Sequence, residues 1–311
     1  MNASKRNQII GIILLVLTSF IWGTAFVAQS DAMDHIGPMT MNGLRTLLAA
    51  VVLFPLIFVS DKIKGKKPSL LGTEDKTQKK KVLLYGLLCG IAITFASTIQ
   101  QWGIKYTSVG KSGFLTTLYV VFAPLIGLLL GKKINWNGWV AVVLAMAGMF
   151  LICIEKNEPL NIGDLLVVIS AIFFAIHILF VDKFIHETDG IRLSCMQFIV
   201  CGVTCLVGAL IFEEIEIKAI INASFSIIYT GVFSAALGYT LQIVAQRWVA
   251  PHIAPLIMCL ESVFALFAGI LLRHENLHTQ VYWGCVLVFV AIILAQIQFK
   301  SKKGKKQENL N

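Results

Sequence analysis

Apolar residues run along this chain in ten blocks, falling approximately at 9–29, 38–59, 82–104, 112–131, 134–154, 163–181, 193–212, 219–246, 252–272 and 279–299. Each block holds about twenty residues, the length that a helix rising 1.5 Å per residue needs to cross a bilayer core. Strands are excluded for such blocks, because an open sheet edge would leave backbone groups unpaired in hydrocarbon. The pattern therefore predicts an all-α membrane protein of ten transmembrane helices.

Five blocks precede the polar segment from Glu155 to Asn161 and five follow it. The odd number matters. If each half descends from one five-helix unit, the two units enter the membrane from opposite sides, which is the inverted-repeat design of many secondary transporters. The division expected is residues 1–154 for the first unit, 155–299 for the second and 300–311 for a basic tail. An offset of 152 lays Gly11, Trp22, Asn42 and Arg45 on Gly163, Phe174, Ser194 and Gln197. An offset of 142 lays Ser97, Gln100, Lys105, Tyr106 and Tyr119 on Tyr239, Gln242, Arg247, Trp248 and Glu261. The change is absorbed where insertion is cheapest, in the loop from Ser60 to Lys81, which is longer than its counterpart from Glu213 to Lys218.

Composition narrows the class further. Hydrophobic residues make up 57% of 311 positions and charged residues only 14%, so bilayer is the main solvent. The net charge of +9 follows from topology rather than from a nucleic-acid partner. With the N-terminus inside, 20 of the 26 basic residues fall on cytoplasmic segments, among them eight lysines between Lys62 and Lys81. Basic loops are retained on that side, so both termini are expected to be cytoplasmic in a plasma membrane, a bacterial inner membrane in particular. The tail reads as disordered. Lys5 and Arg6 before the first block resemble a signal peptide, but the uncharged run to Ser30 reads as a retained helix.

Polar residues inside the blocks carry the candidate chemistry. An ionisable side chain at mid-membrane costs about 2.5–3.5 kcal/mol on insertion scales, and it usually faces a partner or a wet cavity. Glu261 lies near the centre of its block, as a proton carrier, a counter-ion to a cationic cargo, or a helix-packing carboxylate. Arg45 stands nearer the outer edge, where its stem can snorkel to water; the alternative is that it points inward with Asn42 and grips a carboxylate. His177 reads either as a titrating group or as a neutral histidine packed between helices. Uncharged stripes recur at helical spacing: Ser19, Trp22 and Gln29; Ser97 with Gln100 or Gln101; Ser112, Thr116 and Tyr119; Tyr239, Gln242 and Gln246. Lipid disfavours such stripes, and four of them on four helices point to a shared aqueous path. The seven cysteines all fall within blocks and offer neither an exterior disulfide nor a zinc site.

The runs SFIWGTAF, NGLRTLLAA, IQQWGIKYTSVGKSGFLTTLYVVFAP and LESVFALFAGILLRHENL, in this order and spacing, resemble the EamA-type branch of the drug/metabolite transporter superfamily. The resemblance covers about residues 9 to 299. It implies that helices one to four and six to nine surround a central cavity, with five and ten outside it, and that the cargo is an amino acid, metabolite, sugar or drug. Two positions depart from the pattern: Ser262 follows Glu261 where many relatives have proline, and Phe174 stands where an indole is common.

The expectation is a secondary transporter of small polar molecules, an exporter by analogy with relatives, with alternating access around a midplane site. Trp22, Asn42, Arg45, Gln100, Tyr119, His177, Gln197, Tyr239, Gln242 and Glu261 are the candidate substrate-binding residues, with Glu261 as the coupling group. An uncoupled facilitator is the alternative, and an enzyme acting on lipid a remote one, since no catalytic cluster is present. No phosphate-cradling motif appears, so neither ATP nor a cofactor is expected. The partners expected are the small cargo and the bilayer, with the chain a monomer or a weak homo-oligomer.

Overall fold

A computed structural model describes residues 3–65, 67, 69–72, 75–131, 136–153, 161–250, 253–273 and 279–296. The described residues are helical almost throughout. We number the membrane helices α1 (Ala3–Met33), α2 (Pro38–Ile63), α3 (Lys76–Ile104), α4 (Val109–Leu129), α5 (Trp136–Cys153), α6 (Ile162–Phe184), α7 (Gly190–Phe212), α8 (Ser224–Gln246), α9 (Ala254–Leu272) and α10 (Thr279–Gln296). Eight of these are long and apolar enough to cross a membrane; α5 and α10, at 18 residues each, are the short pair. A short helix, Ile217–Asn222, precedes α8. The tail and the linker 154–160 lie outside the described residues.

Helix starts carry local signals. Asp75 accepts from the Thr77 amide to open α3, Asn161 and Asp164 form a reciprocal capping box at α6, and Asp189 accepts from the Ile191 and Arg192 amides at α7. At α2, Pro38 sits in the first turn and no local side chain caps the start. That cap comes from α7: Glu213 accepts from the amides of Met39 and Thr40, both at 2.8 Å. Gly131 has φ +79 and ends α4 in the left-handed region, with no other atom within 4 Å of where a Cβ would stand. The loop read as Ser60 to Lys81 is shorter than hydropathy indicates, because its lysine-rich flanks continue α2 to Ile63 and start α3 at Lys76.

Packing repeats between the halves. The helix α1 packs on α8 and α9 as α6 packs on α3 and α4; α3 meets α7 as α8 meets α2; α2 lies against α7, and α5 against α10. Glycines make these approaches close. A Cβ on Gly11 would meet the Ala245 carbonyl and Trp248, and one on Gly163 would meet the Gly103 carbonyl and Tyr106. Those four partners are matched by the offset of 142, as the two glycines are by 152, so the same contact is made twice. The largest buried cluster runs through Leu15, Ile93, Tyr119, Ile178, Ala245 and Ile257. Its outside is apolar as well: Ile13, Phe20, Val51, Leu210 and Phe289 are exposed, as a lipid-facing surface requires.

Candidate functional site

Two helices depart from α geometry inside the bundle, through short 3₁₀-type turns that keep the backbone right-handed. In α4 the regular helix stops at Thr116 and resumes at Tyr119; in α9 it stops at Met258 and resumes at Leu260. The offset of 142 lays Thr117 on Cys259, so the two interruptions are equivalent places in the two halves. Neither irregular turn falls on a proline: Pro124 lies inside the second segment of α4 and Pro255 in the first segment of α9. A third irregularity is in α8, where Thr230–Tyr239 is wound as π-helix, a form found mostly at functional sites.

These irregular segments enclose a cavity. The helix α1 contributes Trp22, Phe26 and Gln29, α2 contributes Arg45, and α3 contributes Gln100. Thr116 and Tyr119 come from α4, Phe174 from α6, Ser234 and Tyr239 from the π segment, and Glu261 from α9. The void totals about 350 Å³, of which only about 30 Å³ is open to the centre of a water molecule. That room holds a few waters among the polar groups.

Hydrogen bonds fix the walls. Tyr119 Oη donates to Glu261 Oε2 at 3.3 Å, joining α4 and α9 across the cavity. Glu261 is 4% exposed and stands just after the irregular turn of α9. Arg45 Nη1 donates to Gln29 Oε1 at 2.8 Å, and its Nε finds no partner in the protein. Gln100 Nε2 donates to Thr116 Oγ1 at 2.8 Å. Trp22 Nε1 donates to the Ser234 carbonyl at 3.1 Å and its ring lies 4.6 Å from that of Tyr239, so one indole spans the π segment.

Six of the ten residues singled out from the sequence meet at this cavity: Trp22, Arg45, Gln100, Tyr119, Tyr239 and Glu261. Arg45 does not snorkel. It is 5% exposed because Gln29 on α1 gives its guanidinium a buried partner that helical spacing within α2 does not reveal. The other four do not line the cavity. Asn42 donates from Nδ2 to Thr98 Oγ1 at 3.3 Å, filling the contact of α2 with α3. His177 and Gln197 bond to each other, with Nε2 and Oε1 2.8 Å apart, and the imidazole packs edge-on behind Tyr239. Gln242 is buried and its Oε1 has no protein partner. Phe26 and Ser234 escaped the sequence reading, since one contributes an apolar ring and the other serves through its backbone. Phe174 was legible as the counterpart of Trp22 and as the place where an indole is common.

Among the described residues no group of histidine, cysteine and carboxylate side chains has the arrangement of a metal site. Cys201 and Cys205 face the same way, Sγ to Sγ 4.0 Å, and each also touches a hydroxyl on α3: Ser97 at 4.0 Å and Thr98 at 3.3 Å. They pack as small side chains.

Comparison with known proteins agrees with this architecture. The model of the EamA-like transporter family matches twice, over residues 9–154 and 161–296. An uncharacterized transporter of Archaeoglobus fulgidus is 26% identical over 285 residues, covering 91% of this chain and 85% of its own length. The uncharacterized transporter YoaV of Bacillus subtilis is 26% identical over 297 residues, covering 93% and 97%. The uncharacterized inner membrane transporter YedA of Escherichia coli K12 is 20% identical over 280 residues, covering 88% and 87%. A solved crystal structure superposes with a TM-score of 0.72 at 10% identity, over 92% of this chain and 96% of the other, which shows a shared fold. With two matches to one family model and helices built for lipid, the chain belongs to the EamA-like transporter family and is an integral membrane transporter, not an enzyme.

Proposed function

We propose that the chain is a secondary transporter of a small, amino-acid-like polar metabolite. In this reading ten helices form two oppositely inserted units, residues 1–154 and 155–299, followed by a basic tail at 300–311. They rock around the cavity between α1, α4, α8 and α9, and both termini are cytoplasmic. The observation that carries the cargo class is the meeting of Arg45, Glu261 and five aromatic rings around one void. An arginine with an unused N–H suits a carboxylate, a buried carboxylate suits an ammonium, and Trp22, Phe26, Tyr239 and Phe174 suit an apolar side chain. A zwitterion offers all three. Gln100 and Tyr119 add hydrogen-bonding groups at the wall.

The equivalent 3₁₀-type turns within α4 and α9 support alternating access, because a mid-helix departure from α geometry often marks a hinge. Glu261 is the coupling group in this reading, taking a proton when the site is empty and releasing it to bind the cargo ammonium. Export follows from analogy with relatives, and an inner-membrane location from YedA. One chain supplies the whole cavity, so a single copy suffices.

The test is transport by purified wild type and Glu261→Gln in liposomes, with and without a pH gradient. Gradient-driven uptake of neutral amino acids by wild type, lost in Glu261→Gln while counterflow exchange persists, is the expected result. Equal pH dependence in the two proteins removes the proton role and leaves an uncoupled facilitator.

A further inference from the structure

The α2–α7 pair carries a carboxylate latch at each end. At the end where α2 begins, Glu213 accepts from the Met39 and Thr40 amides at 2.8 Å each, and from the Thr40 hydroxyl at 2.7 Å. At the opposite end Asp61, 1% exposed, pairs with Arg192 and accepts from the Ser69 amide at 3.1 Å. Arg192 also donates from Nη2 to the Ser69 carbonyl at 3.2 Å, so the loop after α2 is drawn over the start of α7. The offset of 152 lays Asp61 on Glu213 and Thr40 on Arg192. Each latch therefore joins the last turn or C-cap of one helix to the first turn of its counterpart, and the two latches are copies of each other on opposite sides of the membrane.

Between them the helices cross at a reciprocal contact. Leu206 fills the space over Gly43, and Leu47 fills the space over Gly202, with an added Cβ meeting leucine carbons at 2.6 and 2.5 Å. Small residues at such a crossing let the two backbones approach closely.

Resting on the alternating-access reading above, we infer that Asp61–Arg192 and Glu213–Thr40 are the inner and outer gate latches of this transporter, and that the Gly43–Leu206 and Leu47–Gly202 crossing is the pivot. In the structure both latches are closed. Opening to the cytoplasm breaks the ion pair while Glu213 holds; opening outward frees the α2 start while Asp61–Arg192 holds. Each latch biases the population away from one open state. The two differ in chemistry, since the inner one pairs two side chains and the outer one caps peptide N–H groups.

A reporter thiol, Ser234→Cys, placed in the cavity wall reads the states through a membrane-impermeant maleimide added to either side of oriented vesicles, with the parent chain as background. Asp61→Asn with Arg192→Gln is expected to raise the cytoplasmic-to-outer labelling ratio by about tenfold, the shift that losing one charge-assisted hydrogen bond gives an equilibrium. Glu213→Gln is expected to move it the other way. Ratios unchanged in both variants, or moved in the same direction, overturn the latches while leaving alternating access standing; labelling from neither side in any variant overturns both. Disulfide pairs guard against misfolding of the charge variants. Asp61→Cys with Arg192→Cys, and Thr40→Cys with Glu213→Cys, are each expected to lose most transport on oxidation and regain it on reduction. Full transport through either closed crosslink sinks the proposal.

Discussion

Tyr119 and Glu261 bond across the cavity at 3.3 Å, and each stands two residues beyond the interruption of its helix, at Thr117 and at Cys259. The contact is therefore made between equivalent positions of the two halves. Removing the hydroxyl by Tyr119→Phe keeps the ring and frees the carboxyl. Initial transport rates of Tyr119→Phe, Glu261→Gln and the double variant are expected to show a coupling of about 0.5–3 kcal/mol, the double losing less than the sum of the singles. Additive losses would mean that the bond does no work in the transport cycle.

Arg45 tests the cargo class. Lysine keeps the charge but loses the planar fork that reaches Gln29 and still has a free N–H. Arg45→Lys is expected to raise KM for carboxylate-bearing substrates by about tenfold, while carboxyl-amidated analogues change little. Competition assays with paired acids and amides in liposomes read the difference.

Gly23 tests the packing beside Glu261. A Cβ there would stand 2.5 Å from Phe264 Cβ and 2.7 Å from the Ala265 nitrogen, with backbone that cannot yield. Gly23→Ala is expected to cost about 1–3 kcal/mol by overpacking, seen as a lower thermal midpoint in detergent. Gly110→Ala, where an added methyl meets open space, is the matched control and is expected to leave the midpoint unchanged or slightly raised.

Glu187 gives a pH signature outside the spans. Lys81 Nζ at 2.7 Å and Tyr85 Oη at 2.9 Å donate to it, and the Lys81 bond above all holds its carboxyl below the usual range. A depressed carboxyl contributes stability above its unfolded value and loses it as pH falls through the folded one. Glu187→Gln is expected to lower the thermal midpoint at pH 7 and to converge on wild type as pH falls through the depressed carboxyl value, below which both side chains are uncharged. The effect is small because the pair is solvated.

Sequence made the helices legible because the bilayer imposes length and hydropathy on each of them. Where it misplaced ends, charge was the reason: Lys62 and Lys76 to Lys81 are helical, yet they read as loop. Six cavity residues were legible as polar atoms at helical spacing in apolar surroundings. The rest depended on neighbours from distant helices. Gln29 turns Arg45 inward, Thr98 takes Asn42, and Gln197 takes His177. The irregular turns in α4 and α9 and the π winding of α8 lack a proline at the irregularity itself, so no residue type announces them.

Position 119 and position 261 are the same site in two copies, yet one holds a phenol and the other an acid. A duplicated carrier with matching residues at both places would have no reason to rest facing one compartment rather than the other. In the alternating-access cycle proposed above, that unlike pair is one contact through which the two orientations differ in energy before any gradient is applied.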